Sequence, residues 1–291
     1  MNAEILVVIV TYNGMEWIER CTGSVLSSQM PADIMVIDNG STDGTPEWLE
    51  RHGIEVMRNE SNAGFGAANN IGMLRAVQQG YAFVYLLNQD AWVRPDTFKL
   101  LSDAFASGSY GILSPIQYDG GGRKMDRQFS KRCKRYLSKS SEAVVQVPFV
   151  MAAHWMISRG CLLKTGGFSP AFRQYGEDDN YIDRALWMGF RTGVVRAAGA
   201  VHDRASRPES SDKRMFLKCN GSVVRVSRPA GGAFLRLLWE TLRLAGTGCV
   251  NFSAAPFRFI PTLWKRYPEL MRYRRKSRRK GAFLLPQSKG R

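Results

Sequence analysis

Residues 83–90, Phe83-Val84-Tyr85-Leu86-Leu87-Asn88-Gln89-Asp90, decide the fold. Five apolar residues, rich in β-formers, run into a short polar cluster that ends in a carboxylate. An unbroken apolar run of this length reads as a strand covered on both faces. Asp90 then stands where that strand ends, and open α/β sheets bind their ligands at the carboxyl ends of strands. A carboxylate there can hold a divalent cation, and the cation a diphosphate. The alternative is an Asp that merely opens a loop.

Working outward, the same arrangement recurs. Ile5–Val10 is an apolar run, and Met15–Leu26 places Ile18, Cys21, Val25 and Leu26 on one helical face. Asp33–Ile37 forms a second short strand, followed by the dense turn chemistry of Asn39-Gly40-Ser41-Thr42-Asp43-Gly44. Thr45-Pro46 suits a helix start, with Thr as cap and Pro in the first turn. Ile54–Met57 makes a third strand, Phe65–Gln79 a helix, 82–87 a fourth strand, and Asp96–Ala106 a further helix. Four alternations of strand and helix in the first 110 or so residues predict a parallel, doubly wound sheet. Residues 119–142 break the order, being Gly-rich and then basic, and read as an excursion or mobile loop. Val144–Met151 resumes an apolar run and Asn180–Met188 is helical in pattern. Arg191–Val195 and Ala198–Val201 suit short closing strands.

The chain has 291 residues and a net charge of +16, unevenly spread. Residues 1–212 carry 22 Lys and Arg against 23 Asp and Glu. Residues 213–291 carry 19 Lys and Arg against only Glu240 and Glu269, a net of +17. A near-neutral unit is therefore followed by a strongly basic one that suits an anionic partner. The basic region interleaves cations with Phe234, Leu235, Trp239, Phe257, Phe259 and Trp264. Amphipathic helices at an anionic membrane surface fit that composition. A nucleic-acid patch and a solvated tail are the competing readings, and no nucleic-acid partner is expected. The five cysteines are scattered without CxxC spacing, which argues against a zinc or disulfide framework and fits a reducing compartment. The N-terminus reads as a first strand, without the basic start of a signal peptide. No run of eighteen uncharged apolar residues occurs, so no membrane-spanning helix is expected.

Polar residues cluster after each of the first four strands. Thr11, Tyr12 and Asn13 follow the first, Asp38 the second, Asn62 and Gly64 the third, and Asn88, Gln89 and Asp90 the fourth. In a parallel sheet these loops share one edge. Hydroxyl, ring, amide and carboxylate suit a nucleoside, with the Tyr12 ring packed on a base and Asp38 accepting from base or ribose donors. Gly64-Phe65-Gly66-Ala67-Ala68-Asn69 is a weak dinucleotide fingerprint, since it follows the third strand and ends in Asn. Trp155 and Trp187 suit the core better than a sugar site.

Five segments in order, VVIVTYNG (7–14), VIDNGSTDGT (36–45), NAGFGAANNIG (62–72), LNQDAWV (87–93) and GGFSPAFRQYGEDDNYIDRALWMGF (166–190), resemble the family-2 glycosyltransferases. The likeness is greatest to the rhamnosyltransferase-like branch that builds bacterial surface polysaccharides, such as O-antigen, and it covers residues 4–203. It implies a GT-A fold in residues 1–212, with a nucleotide-sugar-binding half over 1–118 and an acceptor half over 143–212. It also implies an inverting mechanism aided by Mg²⁺ or Mn²⁺, a nucleotide-sugar donor, dTDP-rhamnose first among candidates, and a lipid-linked saccharide acceptor. The enzyme would then work on the cytoplasmic face of the membrane. By resemblance, Thr11 and Asn13 belong to the first nucleotide-contacting loop, Asp38 contacts the base, and Asp90 binds metal. Asn88 stands where many relatives have an acid. His202 is placed like a histidine that completes the metal or diphosphate site. Glu177 and Asp178 match an acceptor-side acidic motif. There Asp178, with Glu177 second, is the expected base, because inversion requires a carboxylate to take the acceptor hydroxyl's proton. The alternatives are a UDP- or GDP-hexose donor, or a non-catalytic nucleotide-binding scaffold of the same fold.

Overall fold

The computed structural model describes residues 3–108, 110–173, 175–204 and 211–284. The expected boundary at 212/213 falls within the first turn of a helix that begins at Ser211, and residues 205–210 ahead of it lie outside the described residues. The four anticipated strands are present as β1 (Ile5–Thr11), β2 (Ala32–Asp38), β3 (Glu55–Arg58) and β4 (Phe83–Asn88), paired in parallel in the order β3-β2-β1-β4. Alternate side chains of β1 serve two cores. Leu6 and Val8 join the cluster under α3 (Phe65–Gln79), while Ile5, Val7 and Ile9 join the one under α1 (Ile18–Leu26) and α2 (Thr45–Arg51). This two-faced burial is why the strand reads as a continuous apolar run. In α2 the cap is Gly44, not Thr45, with Pro46 in the first turn. The Thr45 hydroxyl instead bonds Asp43 and the Gly14 N–H.

Beyond β4 the sheet becomes mixed. The short strand β5 (Ala91–Val93) leads into α4 (Thr97–Ala104) and then β6 (Tyr110–Tyr118). The segment expected to be a mobile excursion instead contains α5 (Arg127–Leu137). Asp126 caps it by accepting from Phe129 N–H, and Phe129, Cys133 and Leu137 form its buried face. The basic residues that obscured this period lie on the other faces. There follow β7 (Val144–Gln146), β8 (His154–Ser158), α6 (Arg159–Thr165), α7 (Glu177–Trp187) and β9 (Arg191–His202). The two expected closing strands are one continuous β9. Its register against β6 shifts between Pro115 and Ile116, which absorbs the break the sequence suggests near Arg196. β8 is inserted antiparallel between β4 and β6, and β9 continues parallel to β6. β5 and β7 both pair antiparallel with β9. The carboxyl ends of β1, β2, β4 and β9 therefore share one sheet edge, together with the amino end of β8.

Three helices complete the molecule: α8 (Ser211–Ser227), α9 (Ala233–Val250) and α10 (Ala255–Ser277). Leu237 and Leu244 of α9 meet Leu263 and Leu270 of α10 around Val223 and Val226. Leucines seven apart on facing helices make a coiled-coil-like seam. Ala171 and Phe172 pack into the same cluster, so the basic region is joined to the loop before α7. Among the described residues, no helix is long and apolar enough to cross a membrane.

Candidate active site

The loops at the shared edge are built from reciprocal hydrogen bonds. Thr11 Oγ1 donates to Asp38 Oδ1 at 2.9 Å. Asp38 also accepts from the N–H groups of Gly40 (3.1 Å) and Ser41 (2.9 Å) and from the Ser41 hydroxyl. A carboxylate has about four lone-pair sites, and here all four donors come from the chain itself. Asp38 is buried and shapes the turn; contact with a base would displace one of them. Asn13 adopts a left-handed conformation (φ 49°), which Asn tolerates better than most residues. Its N–H donates to Ser41 Oγ at 2.8 Å, and its Oδ1 accepts from Thr42 N–H at 2.9 Å. The Tyr12 ring is left half-exposed above this edge.

Gln89 grips the backbone of that loop. Tyr12 N–H donates to Gln89 Oε1 at 2.8 Å, and Gln89 Nε2 donates to Tyr12 C=O at 3.3 Å. A Cβ at Gly14 would lie 2.6 Å from Gln89 Oε1, so a side chain there would push the Gln89 amide off the loop. Gly64 likewise has φ 87°, and a Cβ there would lie 2.6 Å from Arg173 C=O. Asn62 Oδ1 accepts from Gly64 N–H at 2.9 Å and sets the entry to α3.

Asp90 and His202 meet because β5 turns back at once. Ala91 pairs with His202, and Asp203 N–H donates to Asp90 C=O at 2.8 Å. His202 Nε2 lies 3.4 Å from Asp90 Oδ1, and both side chains are buried. The Asn88 amide reaches within 3.5 Å of His202 Nε2, while its buried Oδ1 has no hydrogen-bond partner. A carboxylate, an orphaned amide oxygen and an imidazole form a donor set that suits Mg²⁺ or Mn²⁺. Among the described residues no group of three His, Cys, Asp or Glu gathers to hold a metal. The protein side of the site is thus partial, as is usual where substrate phosphates complete the shell. Arg204 Nε donates to His202 Nδ1 at 3.2 Å, which leaves the neutral ring's proton on Nε2, facing Asp90. In this arrangement His202 supports Asp90, and ligation through Nε2 requires release of Arg204. Behind it, Tyr85 O–H lies 2.9 Å from His154 Nδ1, and His154 Nε2 lies 3.0 Å from Val201 C=O. Burial and the neighbouring His202 depress the His154 pKa to about 3, so it stays neutral.

The acidic cluster arrives at the same edge from α7. Gly176 (φ 91°) turns the chain so that Glu177, Asp178 and Asp179 form the first turn of the helix. Glu177 packs near Gly66 in the first turn of α3, where an added Cβ would lie 3.8 Å from Glu177 Cβ. Phe168 is held by Asn70 of α3, whose Nδ2 donates to Phe168 C=O and whose Oδ1 accepts from Phe168 N–H. Glu177 Oε2 is buried without a hydrogen-bond partner. Burial, reinforced by like charge, raises the pKa of all three carboxyls above the ordinary range. The Arg132 guanidinium opposes this for Asp178 and Asp179. Arg132 was hidden in the presumed excursion; the i, i+4, i+8 spacing of Phe129, Cys133 and Leu137 is the signal that would have found its helix.

Asp38 ends β2 and Asp90 follows β4 at one sheet edge, and the acidic turn of α7 starts beside Gly66 of α3. Trp155 does not join them: it is buried in the core, stacked near Phe168, and donates to Val150 C=O. Trp187 lies at the far end of α7 under the Arg278 guanidinium.

The sequence is 27% identical over 235 residues to the N-acetylglucosaminyl-diphospho-decaprenol L-rhamnosyltransferase of Mycobacterium tuberculosis, covering 68% of this chain and 76% of the relative. The fold matches S. aureus TarS (residues 1–349) with a TM-score of 0.58 at 16% identity, covering 81% of this chain and 68% of that one. It also matches the mannosyltransferase PcManGT from Pyrobaculum calidifontis, solved with GDP-Man and Mn²⁺, with a TM-score of 0.56 at 18% identity, covering 95% of this chain and 74% of that one. The architecture is GT-A. The sequence model for glycosyl transferase family 2 matches residues 6–164. With more than half its length matched, this chain belongs to glycosyl transferase family 2 and is an enzyme of that family.

Proposed function

We propose that the protein is an inverting glycosyltransferase that moves a sugar from a nucleotide-sugar donor to a lipid-linked saccharide acceptor in surface-polysaccharide synthesis. The observation that carries this reading is the acidic turn of α7, with Glu177 Oε2 unpartnered, at the sheet edge that also holds Asp38 and Asp90. Similarity to a rhamnosyltransferase whose acceptor is a decaprenol diphosphate-linked sugar supports dTDP-rhamnose as the first donor to test and a polyprenol-linked acceptor. UDP- and GDP-hexoses are the next candidates.

In this reading residues 1–212 are the transferase unit. The half spanning 1–118 seats the nucleotide through Thr11, Tyr12, Asn13, Asp38, Asn62 and Gly64, with Gln89 bracing the first loop. The half spanning 143–212 presents the acceptor to Asp178. The Asp178 carboxylate takes the acceptor hydroxyl's proton as its oxygen attacks the anomeric carbon. The bond to the diphosphate breaks on the opposite face, which inverts the configuration, and the nucleoside diphosphate departs. A Mg²⁺ or Mn²⁺ held by Asp90, with Asn88 and His202 in support, would supply positive charge for the leaving diphosphate. The basic region 213–291 holds the enzyme to the anionic inner face of the cytoplasmic membrane, where such acceptors are reached.

The test is a panel of nucleotide sugars screened for thermal stabilisation with Mn²⁺, followed by transfer to a polyprenol diphosphate-linked saccharide and determination of the product's anomeric configuration. Asp178→Asn should lower kcat by about 10²- to 10⁴-fold, the range for loss of a general base, with donor affinity retained by calorimetry. Normal turnover by that variant would remove Asp178 from the base role. Asp90→Ala should abolish the EDTA-sensitive part of donor binding; an unchanged EDTA response would move the metal elsewhere.

A further inference from the structure

The basic C-terminal helices contain one face that contradicts ordinary surface chemistry. On α9 the charged residues lie away from the most exposed face, with Glu240 buried and Arg236 and Arg243 half-buried. Glu240 is buried, bonded to Arg225 of α8 and to Arg243 of its own helix. Arg236 donates to Ala230 C=O. The outward face carries no charge at all: Leu235 is 72% exposed, Leu242 68% and Trp239 65%, with Phe234, Leu238 and Val250 also exposed. Large apolar side chains are clustered over Phe234–Leu242, about 12 Å of helix at 1.5 Å per residue, with Val250 beyond a gap of small residues, and such a cluster is more than scattered surface hydrophobes provide.

What borders this face identifies its occupant. α10 runs alongside α9, with Trp264 Nε1 donating to Thr241 Oγ1 at 2.9 Å and its ring meeting Phe234 edge-on. Arg258, Lys265 and Arg272 lie on the exposed side of α10, seven residues apart, and therefore form a row along the helix. The row follows the apolar line of Phe257 and Trp264. Cations beside an apolar stripe that includes tryptophans match the headgroup boundary of an anionic bilayer, where acyl chains, interfacial rings and phosphates succeed one another within a few ångströms. A two-fold contact with a second copy would set this basic surface against its own equivalent, which like-charge repulsion opposes.

We propose that the outward face of α9, centred on Leu235, Trp239 and Leu242, inserts into the acyl–headgroup boundary of an anionic membrane. α9 then lies parallel to the bilayer plane, and the Arg258–Lys265–Arg272 row binds lipid phosphates. This rests on the membrane reading above and assigns it to one helix face, leaving the cations Arg274, Arg275, Lys276, Arg278, Arg279 and Lys280 secondary. Insertion of α9 also orients the enzyme, because the same bundle packs on Ala171 and Phe172 ahead of the acidic turn.

The test is vesicle co-sedimentation of the full chain, using phosphatidylcholine alone and phosphatidylcholine with phosphatidylglycerol. Wild-type protein should prefer the anionic vesicles. The triple variant Leu235→Gln, Trp239→Gln, Leu242→Gln should bind them at least about tenfold more weakly, given the apolar area withdrawn from the interface. Its fold is checked by nucleotide-sugar binding, which should be unchanged. In the wild type, brominated acyl chains should quench tryptophan fluorescence, and Trp239→Phe should remove most of that quenching. Equal vesicle binding by wild type and triple variant, without loss of quenching in Trp239→Phe, overturns the assignment to α9 while leaving membrane association in place. Absence of wild-type binding to either vesicle overturns both, without touching the glycosyl-transfer reading, which donor binding reports separately. A lipid-free dimer that the triple variant dissolves would show that a second copy covers the face, and overturns the proposal.

Discussion

Glu177, Asp178 and Asp179 carry opposed demands within one helical turn. The N-terminal dipole of α7 favours negative charge, whereas burial and mutual repulsion favour protons. For a base that must be ionised, raised pKa values move the acid limb of kcat upward in pH, toward neutrality. Removing the like charge that acts on Asp178 lowers that limb: Glu177→Gln should shift its midpoint toward acid, as a pH–rate profile of the variant would show. The stability consequence has the opposite sign from catalysis. A carboxyl with its folded pKa raised stabilises the fold below its unfolded pKa, and that contribution is lost as pH rises through the folded value. Asp178→Asn should therefore raise Tm above the shifted pKa and leave it little changed in acid. Much at this scale was legible beforehand, since Asp38, Asp90 and Glu177–Asp178 stand out by position after strands or before a helix. The contacts of Gln89 with Tyr12 and of Arg204 with His202 were not, because each joins side chains whose meeting depends on loop conformation.

At the scale of elements, α3 shows how a close approach positions the site. A Cβ at Gly72 would lie 2.5 Å from both γ-carbons of Val8, so the helix rests on β1 with no room for a methyl. Gly72→Ala should destabilise by about 1–3 kcal/mol, as overpacking does, measured by urea unfolding. Val8→Ala combined with it should recover part of that loss, since neighbours sharing one space are not additive. The first four strands and α3 were readable because each is a continuous apolar or 3.6-periodic run. β8 was not distinguished: His154–Ser158 is short, and its antiparallel insertion between β4 and β6 is a matter of topology that local pattern does not encode. α5 was missed for a different reason, as its three buried residues are outnumbered by cations.

Across the whole molecule, the charge asymmetry seen in composition becomes a helical bundle with an ionic knot. Glu240 takes Arg225 and Arg243 together, at 2.9 Å and 2.6 Å for the contacts to its Oε2. Burial alone would raise its pKa, but the two guanidinium groups outweigh that and hold it below the ordinary range. A lowered carboxylate contributes stability above its unfolded pKa and loses it as pH falls through the folded value. The bundle should accordingly loosen in acid before the sheet does, which hydrogen exchange would resolve. Glu240→Gln should cost about 3 kcal/mol, the low end for a broken buried pair, because both arginines keep roughly a third of their side chains in solvent. Denaturant unfolding of the variant gives that value.

The segment after α10 returns to the loop that feeds α7. Gly167 N–H donates to Ala282 C=O at 2.8 Å, Gly281 N–H donates to Lys164 C=O at 3.1 Å, and the buried Arg184 guanidinium lies 4.8 Å from the Phe283 ring centre. During synthesis, the loops after β1, β2 and β4 can form while the ribosome is still translating the bundle. The lead-in to α7 is completed later, since its last braces are residues 281–283. The order of translation thus delays completion of the loop ahead of α7 until the three C-terminal helices have already emerged.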